Sequence, residues 1–201
     1  MKKIFTCIFK FVMITALLFG ATSTAEQAYK IGDRGPCGGI IFYVDKKGFT
    51  VYDGMGGKEI CHYLEMSEST LGESKWYPEY LNIGTETGLG YGKSNTFKIL
   101  NAKTSNKDSE KITVENCAAY RCVQFSSAGD WFLPSRDELD LILKNQKQRV
   151  IATSRNSCHW SSSEKSSMLA WVQFFNNGFS FQDDFGWKDF GGISVRAVRA
   201  F

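Results

Sequence analysis

Apolar and polar positions form short blocks near the start of the chain. The apolar run 38–44 begins with two glycines and is followed by the polar segment 45–48. This pattern predicts a buried strand that enters a turn. Residues 49–52 are again apolar and aromatic, and we expect them to be the hairpin partner of that strand. A further apolar run, 60–65, predicts another strand.

The middle of the chain loses this pattern and then gains helical spacing. Residues 66–92 are rich in Ser, Gly and Glu and show little periodicity, so they predict a long loop. Ser94 is a residue type that caps helices, and it predicts a helix over 95–102. Thr113 likewise predicts the start of a helix over 114–125, whose apolar residues recur on one face.

A capping box predicts the next helix. Ser135 can accept a hydrogen bond from the backbone three residues later, and the Glu138 carboxylate can reach back to the start of the helix. Leu139, Ile142 and Leu143 then give a buried face. This local chemistry explains the segment as a structural corner, with no need for a catalytic role.

Strand patterns return in the last quarter of the chain. Residues 170–175 and 178–181 flank an Asn-Asn-Gly turn and predict a hairpin. Residues 182–192 predict a loop rich in Gly, Asp and aromatic residues, and 194–201 predicts a closing strand. Helices between an N-terminal strand pair and a C-terminal antiparallel sheet indicate the α+β class, with both ends of the chain in one sheet.

The first residues have the pattern of a secretory signal. Lys2 and Lys3 precede the apolar stretch 4–20, and small residues fill positions 21–25. This order predicts export to the periplasm, the cell surface or the medium, with cleavage after residue 25. The remaining 26–201 have a length typical of one domain.

Removal of residues 1–25 changes the charge argument. The formal net charge of the whole chain is +3, and the segment contains three lysines and no acidic residue, so the mature chain is neutral. A neutral domain argues against nucleic-acid binding, which depends on clustered Lys and Arg. The alternative of an uncleaved membrane anchor is disfavoured because Lys10 interrupts the apolar run. We therefore expect no transmembrane segment after cleavage.

Five cysteines remain after cleavage, and an exported protein is expected to use them in disulfides with one left over. Their connectivity cannot be read from their spacing. Cys117 and Cys122 are not expected to bridge each other if they lie on one helix. A zinc site is not predicted, because the spacing lacks Cys-x-x-Cys pairs and the only histidines are His62 and His159.

A resemblance to a known family is carried by four short segments, 38–44, 130–139, 160–164 and 195–201. The chain from about residue 31 onward resembles the C-terminal domain of bacterial collagen-like adhesins, a largely uncharacterised family. The resemblance implies a C-type-lectin-like α+β fold, with two or three helices and a mainly antiparallel sheet that joins the N- and C-terminal strands. It also implies self-association into a homo-oligomer, although no collagen-like repeat is present here.

Several residue groups could suggest chemistry, but each has a simpler structural interpretation. The serines 161–163 lack a nucleophile elbow and a neighbouring base, so we expect them to hydrogen-bond at a strand end. Glu164 is expected to face solvent or to pair with an arginine. Arg196 and Arg199 lie three apart on a strand and point to opposite faces, and a buried Arg–carboxylate pair is expected there.

No metal or cofactor is predicted. Sugar-binding C-type lectins hold calcium through Glu-Pro-Asn or Gln-Pro-Asp and Trp-Asn-Asp motifs, which this chain lacks. Asp183, Asp184 and Asp189 supply too few oxygen ligands for calcium on their own. The formylglycine-generating oxidases of the same fold need a cysteine pair that binds copper, and Cys158 has no matching partner near the C-terminus.

The loop 182–191 is the strongest candidate binding site. Its aromatic residues can stack on sugar rings or fill a pocket in a protein partner, and its carboxylates can accept hydrogen bonds from sugar hydroxyls. The alternative is that these rings pack beneath the loop as a small core. A second, weaker candidate is formed by Trp76, Tyr77 and Tyr80. The predicted ligand-binding residues are Gln182, Asp183, Asp184, Phe185, Trp187, Lys188 and Asp189.

These patterns predict an exported, non-enzymatic binding module, an adhesin that recognises a glycan or a host or matrix protein. One alternative is a structural envelope protein without a ligand site. Another is a glycoside hydrolase built on Glu164, Asp183 or Asp184, since paired carboxylates about 5–10 Å apart can hydrolyse glycosides.

Overall fold

The computed structural model describes residues 28–102, 117–147, 157–175 and 184–201. These residues form an α+β structure with three helices and two sheets, as the sequence predicts. The predicted signal segment lies outside the described residues. The helices are α1 (Gly92–Leu100), α2 (Ala118–Val123) and α3 (Arg136–Lys147), and the strands are β1 (Ile40–Tyr52), β2 (Lys58–Met66), β3 (Glu73–Ser74), β4 (Ser157–Glu164), β5 (Leu169–Phe175), β6 (Asp184–Trp187), β7 (Ile193–Ser194) and β8 (Val198–Ala200).

The first sheet joins the two ends of the described chain. Its strand order is β1-β2-β8, and both pairings are antiparallel. Met66 pairs with Ile40 on one side and with Val198 on the other. The prediction that N- and C-terminal strands share one sheet is therefore confirmed.

The first strand is longer than predicted, because residues 45–48 form a bulge rather than a turn. Val44 pairs with Tyr63 and Phe49 with Cys61, so these four residues lie opposite His62 alone. The ring Nδ1 of His62 lies 2.9 Å from the Asp45 carbonyl oxygen. The prediction that 49–52 is the hairpin partner of 38–44 is thus wrong, since 40–44 and 49–52 both belong to β1.

The true hairpin turn follows Tyr52. The Asp53 carboxylate accepts hydrogen bonds from the backbone N–H groups of Met55 at 2.7 Å and Gly57 at 2.9 Å. An Asp that bonds to the backbone two residues further on is a common turn signal. β2 then begins at Lys58 and includes the predicted strand 60–65.

Two helices start at positions other than those predicted. α1 begins at Gly92 with Tyr91 as its N-cap residue, so Ser94 lies inside the helix and is buried. α2 begins at Ala118, where the Cys117 sulfur accepts a hydrogen bond from the Tyr120 N–H. The predicted cap Thr113 lies outside the described residues.

α3 agrees with its prediction. The Ser135 N–H donates to Glu138 Oε2 at 2.8 Å, and the Glu138 N–H donates to Ser135 Oγ at 3.3 Å. Both bonds of the capping box are therefore present. Leu139, Ile142 and Leu143 are buried, as expected.

The second sheet has the order β3-β7-β4-β5-β6. Its pairings are antiparallel except for one parallel contact between β4 and β7, where His159 lies beside Ser194. The predicted strand 178–181 lies outside the described residues. β6 occupies part of the segment that was expected to be a loop.

The predicted closing strand 194–201 is divided between the two sheets. Ser194 in β7 pairs with Glu73, whereas Val198 in β8 pairs with Met66. Arg196 lies between these pairings, is 1% exposed, and donates hydrogen bonds to the carbonyl oxygens of Ser67 and Glu68. The last strands therefore connect the sheets.

The hydrophobic core has two parts. One part lies where α1 and α2 meet the second sheet and includes Trp76 and Trp160. The other packs α3 against the first sheet and includes Phe42, Leu139 and Phe175. Because Trp76 comes from the long segment 66–92, much of the predicted loop contributes to the core.

Buried carboxylates tie loops to the core. Glu65 accepts hydrogen bonds from the Gly39 N–H and from Arg199 Nη1, each at 3.0 Å. The Arg–carboxylate pair predicted for this strand therefore involves Arg199 and not Arg196. Glu138 also accepts from the Gly90 N–H at 2.9 Å, and burial raises its pKa to about 7 despite these bonds.

The cysteines differ from the expectation for an exported protein. Cys37, Cys61, Cys117 and Cys122 carry thiols in this structure and form no disulfide. Burial raises the pKa of Cys61 to about 11 and also raises the pKa of Cys122. These two thiols are therefore neutral and weakly reactive.

Within the described ranges, no helix has both the length and the apolar character needed to span a bilayer.

Candidate binding face

The register of β5 and β6 brings aromatic side chains onto one face of the second sheet. Leu169 lies opposite Trp187, and Trp171 lies opposite Phe185. Residues that face each other across an antiparallel pair share a side of the sheet, as do residues two apart on a strand. Phe185 is 47% exposed and Trp187 is 53% exposed.

Gly186 explains why these two rings point outward. A Cβ atom at Gly186 would lie 2.7 Å from Trp160 Cη2 and 2.7 Å from Ile193 Cδ1. Only glycine fits against the buried Trp160 ring at this position. Because side chains alternate along a strand, the residues on either side of Gly186 must face away from the core.

Tyr80 extends this surface from the other side. Its ring centroid lies 6.2 Å from that of Trp187 in an edge contact, and its side chain is 45% exposed. A hydrogen bond from its hydroxyl to the exposed Asp189 raises the pKa of Tyr80. Phe190 is 55% exposed. We define the aromatic face as Tyr80, Trp171, Phe185 and Trp187.

Two cations lie at the Trp171 end of the aromatic face. The Lys165 ammonium is 4.3 Å from the Trp171 ring centroid, and the Arg136 guanidinium carbon is 5.3 Å from it. Arg136 also pairs with Asp137 at 2.9 Å. The face thus has cations near Trp171 and a carboxylate, Asp189, near Tyr80.

The predicted site residues differ in their exposure to solvent, and two of them lie outside the described residues. Gln182 and Asp183 lie outside the described residues, and Asp184 is the first residue of β6. Phe185, Trp187 and Asp189 are solvent-exposed, as the binding hypothesis requires. The structure corrects the expectation for Lys188, whose side chain is fully buried.

Lys188 is buried because its charge has partners. Its Nζ donates to Glu164 Oε1 and, at 2.6 Å, to the Leu81 carbonyl oxygen. It also lies 4.5 Å from the Trp76 ring centroid, a cation–π distance. Burial lowers the pKa of Lys188, and the bond and charge of Glu164 act in the opposite direction.

Glu164 is fully engaged by the backbone as well as by Lys188. Its two oxygens accept hydrogen bonds from the N–H groups of Ile83 at 2.8 Å, Gly84 at 2.6 Å and Thr85 at 3.2 Å. The side chain is 6% exposed. Glu164 therefore neither faces solvent nor pairs with an arginine, and its oxygens are occupied by contacts within the protein.

The three serines of β4 are also occupied. Ser161 Oγ donates to the Trp171 carbonyl oxygen at 2.9 Å, and Ser163 Oγ donates to the Glu86 carbonyl oxygen at 2.7 Å. Ser162 Oγ accepts from Asn95 Nδ2 at 3.1 Å. These bonds confirm the structural interpretation of the serine run.

The second candidate site is not a surface. Trp76 and Tyr77 are both fully buried, and the indole N–H of Trp76 donates to the Ser161 carbonyl oxygen at 2.7 Å. Of the three aromatic residues, Tyr80 alone is well exposed, and it belongs to the aromatic face. Sequence reasoning missed Trp171, although the alternation of β5 places it on the same side as Leu169.

Within the described ranges, no group of three or more His, Cys, Asp or Glu side chains is arranged to hold a metal ion. Comparisons with known proteins add no further assignment. No protein-family model matches the chain, and a search of curated proteins also finds no match.

Proposed function

We propose that this protein is an exported, non-enzymatic binding module that recognises a glycan or an extracellular protein through the aromatic face. The observation that carries the proposal is the exposure of Phe185 and Trp187 on one side of the β5–β6 pair, with Tyr80 in ring contact with Trp187. Exposed aromatic clusters of this kind mark interaction surfaces more often than isolated surface residues do.

The arrangement of the rings suits a ligand with flat apolar surfaces. The Tyr80 and Trp187 rings are in edge contact, and the Asp189 carboxylate lies close enough to the Tyr80 hydroxyl to raise its pKa. Rings that are already ordered lose little conformational entropy on binding. The Asp189 carboxylate next to them can accept hydrogen bonds from a sugar hydroxyl or a peptide N–H.

The same contacts argue against the hydrolase alternative. A general acid or base needs a carboxylate that can reach the substrate. The Glu164 oxygens instead bind Lys188 and the backbone of 83–85. Of the other two carboxylates in that alternative, Asp183 lies outside the described residues and Asp184 is the first residue of β6.

The finer fold assignment is also part of the proposal. We propose a C-type-lectin-like fold, which is supported by the sheet that joins β1 to β8 through β2 and by the long connection that carries Tyr80. Export is supported by the lysines, apolar run and small residues of positions 1–25.

A binding screen tests the proposed function. Protein expressed from the full sequence would be screened against a glycan array and a panel of extracellular-matrix proteins. Replacing both Phe185 and Trp187 by Ala should weaken the strongest interaction by at least about tenfold, because aromatic anchors dominate interface energy. The matched control is Phe174→Ala, which removes a 36% exposed ring from the opposite face of β5 and should leave binding unchanged.

Two outcomes would contradict the proposal. The first is the absence of binding to any glycan or matrix protein, which would favour a structural envelope protein. The second is binding that survives loss of Phe185 and Trp187, which would place the ligand elsewhere on the protein.

A further inference from the structure

The aromatic face is assembled from two distant parts of the chain. Tyr80 belongs to the connection between β3 and α1, whereas Trp187 ends β6. The residues that follow them, Leu81 and Lys188, are 107 positions apart in sequence. The relative position of the two rings therefore depends on tertiary contacts.

A hydrogen bond links the two parts at the residues that follow the two rings in the chain. Lys188 follows Trp187, and Leu81 follows Tyr80. The Lys188 Nζ donates to the Leu81 carbonyl oxygen at 2.6 Å. The backbone of Lys188 is held as well, since its carbonyl oxygen accepts from the Trp76 N–H at 2.9 Å and its N–H donates to the Met168 carbonyl oxygen at 3.0 Å.

Glu164 holds both ends of this link. It binds the Lys188 ammonium, and it also binds the N–H groups of Ile83, Gly84 and Thr85, which continue the chain after Tyr80 and Leu81. One carboxylate at the end of β4 thus binds both the Lys188 ammonium and the loop that carries Tyr80.

We propose that the buried Lys188–Glu164 pair is a positioning device for the aromatic face, which keeps Tyr80 in contact with Trp187 and so shapes the binding surface. The inference rests on the proposed function for its consequence in binding, while its structural part can be tested separately. Lys188 is then a positioning residue rather than one that contacts the ligand.

General energetics favour this role over simple stabilisation. Replacing a buried ion pair by uncharged residues of similar volume is often neutral for stability, because the desolvation cost offsets the attraction. Removing one partner alone leaves a buried charge and is strongly destabilising. Both partners must therefore be replaced together to separate positioning from folding.

The molecule offers a matched control. Arg199 and Glu65 form another ion pair, at 3.0 Å, in the first sheet, in which Glu65 is fully buried and the Arg199 side chain is 19% exposed. A variant with Arg199→Met and Glu65→Gln also loses two charges but leaves the contacts of Lys188 and Glu164 intact. The test variant carries Lys188→Met and Glu164→Gln.

The experiment measures ring contact and binding in both double variants. We expect the test variant to fold, to lose the nuclear Overhauser contacts between the Tyr80 and Trp187 rings, and to exchange the amides of 83–85 at least about tenfold faster. Binding of cellohexaose or immobilised collagen, whichever the wild type binds, should fall about tenfold. The control variant should keep the ring contacts, amide protection and binding.

Each other outcome has a defined meaning. Ring contacts and amide protection that persist in the test variant overturn the inference, and so does an equal loss in both variants. If the test variant fails to fold, the hydrogen-bonding pair Lys188→Gln and Glu164→Gln replaces it, and failure of that pair overturns the inference in favour of a folding role. Wild-type protein that binds neither probe counts against the proposed function, whereas the ring contacts still decide the inference.

Discussion

At the scale of single residues, His159 shows how burial creates pH dependence. The side chain is fully buried, its Nε2 has no hydrogen-bond partner among the described residues, and its ring packs edge-on against Phe175. Burial, and secondarily the charge of Arg196, lowers the pKa of His159 from 6.5 to about 3. The neutral ring is therefore part of the folded state.

This shift gives a prediction for acid stability. Because the pKa in the folded state lies below the unfolded value, the stabilisation is complete above pH 6.5 and is lost as the pH falls from 6.5 towards 3. The unfolding free energy of the wild type should fall by about 2 kcal/mol between pH 7 and pH 5 because of His159. In His159→Gln this part of the decrease should be absent. Urea unfolding at both pH values measures this, and an unchanged loss in the variant would refute the assignment.

Lys188 and Glu164 show the limit of sequence reasoning at this scale. A lysine beside an exposed tryptophan is expected to be exposed, because an unpaired buried ammonium is costly. Its partner Glu164 is 24 positions earlier, and no local pattern connects the two. In contrast, the Ser135–Glu138 capping box was predictable because both of its partners are local.

At the scale of elements, prediction succeeded where the signal was local. α3 combines a capping box with helical spacing and was placed correctly. The sequence pattern predicts two strands where the structure has β1 alone, because the bulge at 45–48 has the composition of a turn. β6 was missed because it is four residues long, contains Gly186, and is defined by pairing with β5.

The start of α3 carries a second pH prediction. Burial raises the pKa of Glu138 from 4.5 to about 7, so the folded state holds a proton there that the unfolded state releases. This contribution to stability therefore falls as the pH rises from 4.5 to 7. In Glu138→Gln, the decrease in unfolding free energy between pH 4.5 and pH 7 should be about 3 kcal/mol smaller than in the wild type. Urea unfolding across this range measures the difference.

The Glu138 and His159 trends oppose each other in the wild type between pH 4.5 and 6.5. Single variants are therefore more informative than the wild-type profile. A Glu138→Gln profile parallel to that of the wild type would show that this carboxyl group titrates normally in the folded protein.

The tight fit of β6 gives a prediction for packing. Gly186→Ala places a methyl group against Trp160 and Ile193 and should cost about 1–3 kcal/mol of unfolding free energy. Gly191→Ala is the matched control, because the nearest atom to its added Cβ is 4.0 Å away, and it should be close to neutral. Equal stability of the two variants, compared by urea unfolding, would contradict the outward alternation of Phe185 and Trp187.

At the scale of the whole molecule, the α+β class and the meeting of the terminal strands followed from the order of the patterns. The splitting of the closing segment into β7 and β8 did not, because it depends on how the two sheets meet around Arg196. The exposure of the late aromatic residues could be proposed from composition, but the addition of Tyr80 and Trp171 required the fold. The aromatic face is thus a property of the assembled sheets.

The most direct test of the central claim follows the five tryptophan side chains in one experiment. Indole N–H signals would be recorded in a two-dimensional NMR spectrum while the strongest glycan or matrix-protein fragment from the screen is added. The account predicts that the signals of Trp187 and Trp171 shift on binding, while those of the buried Trp76 and Trp160 do not. Shifts confined to the buried tryptophans, or a Trp187 signal that stays in place at saturation, would contradict it.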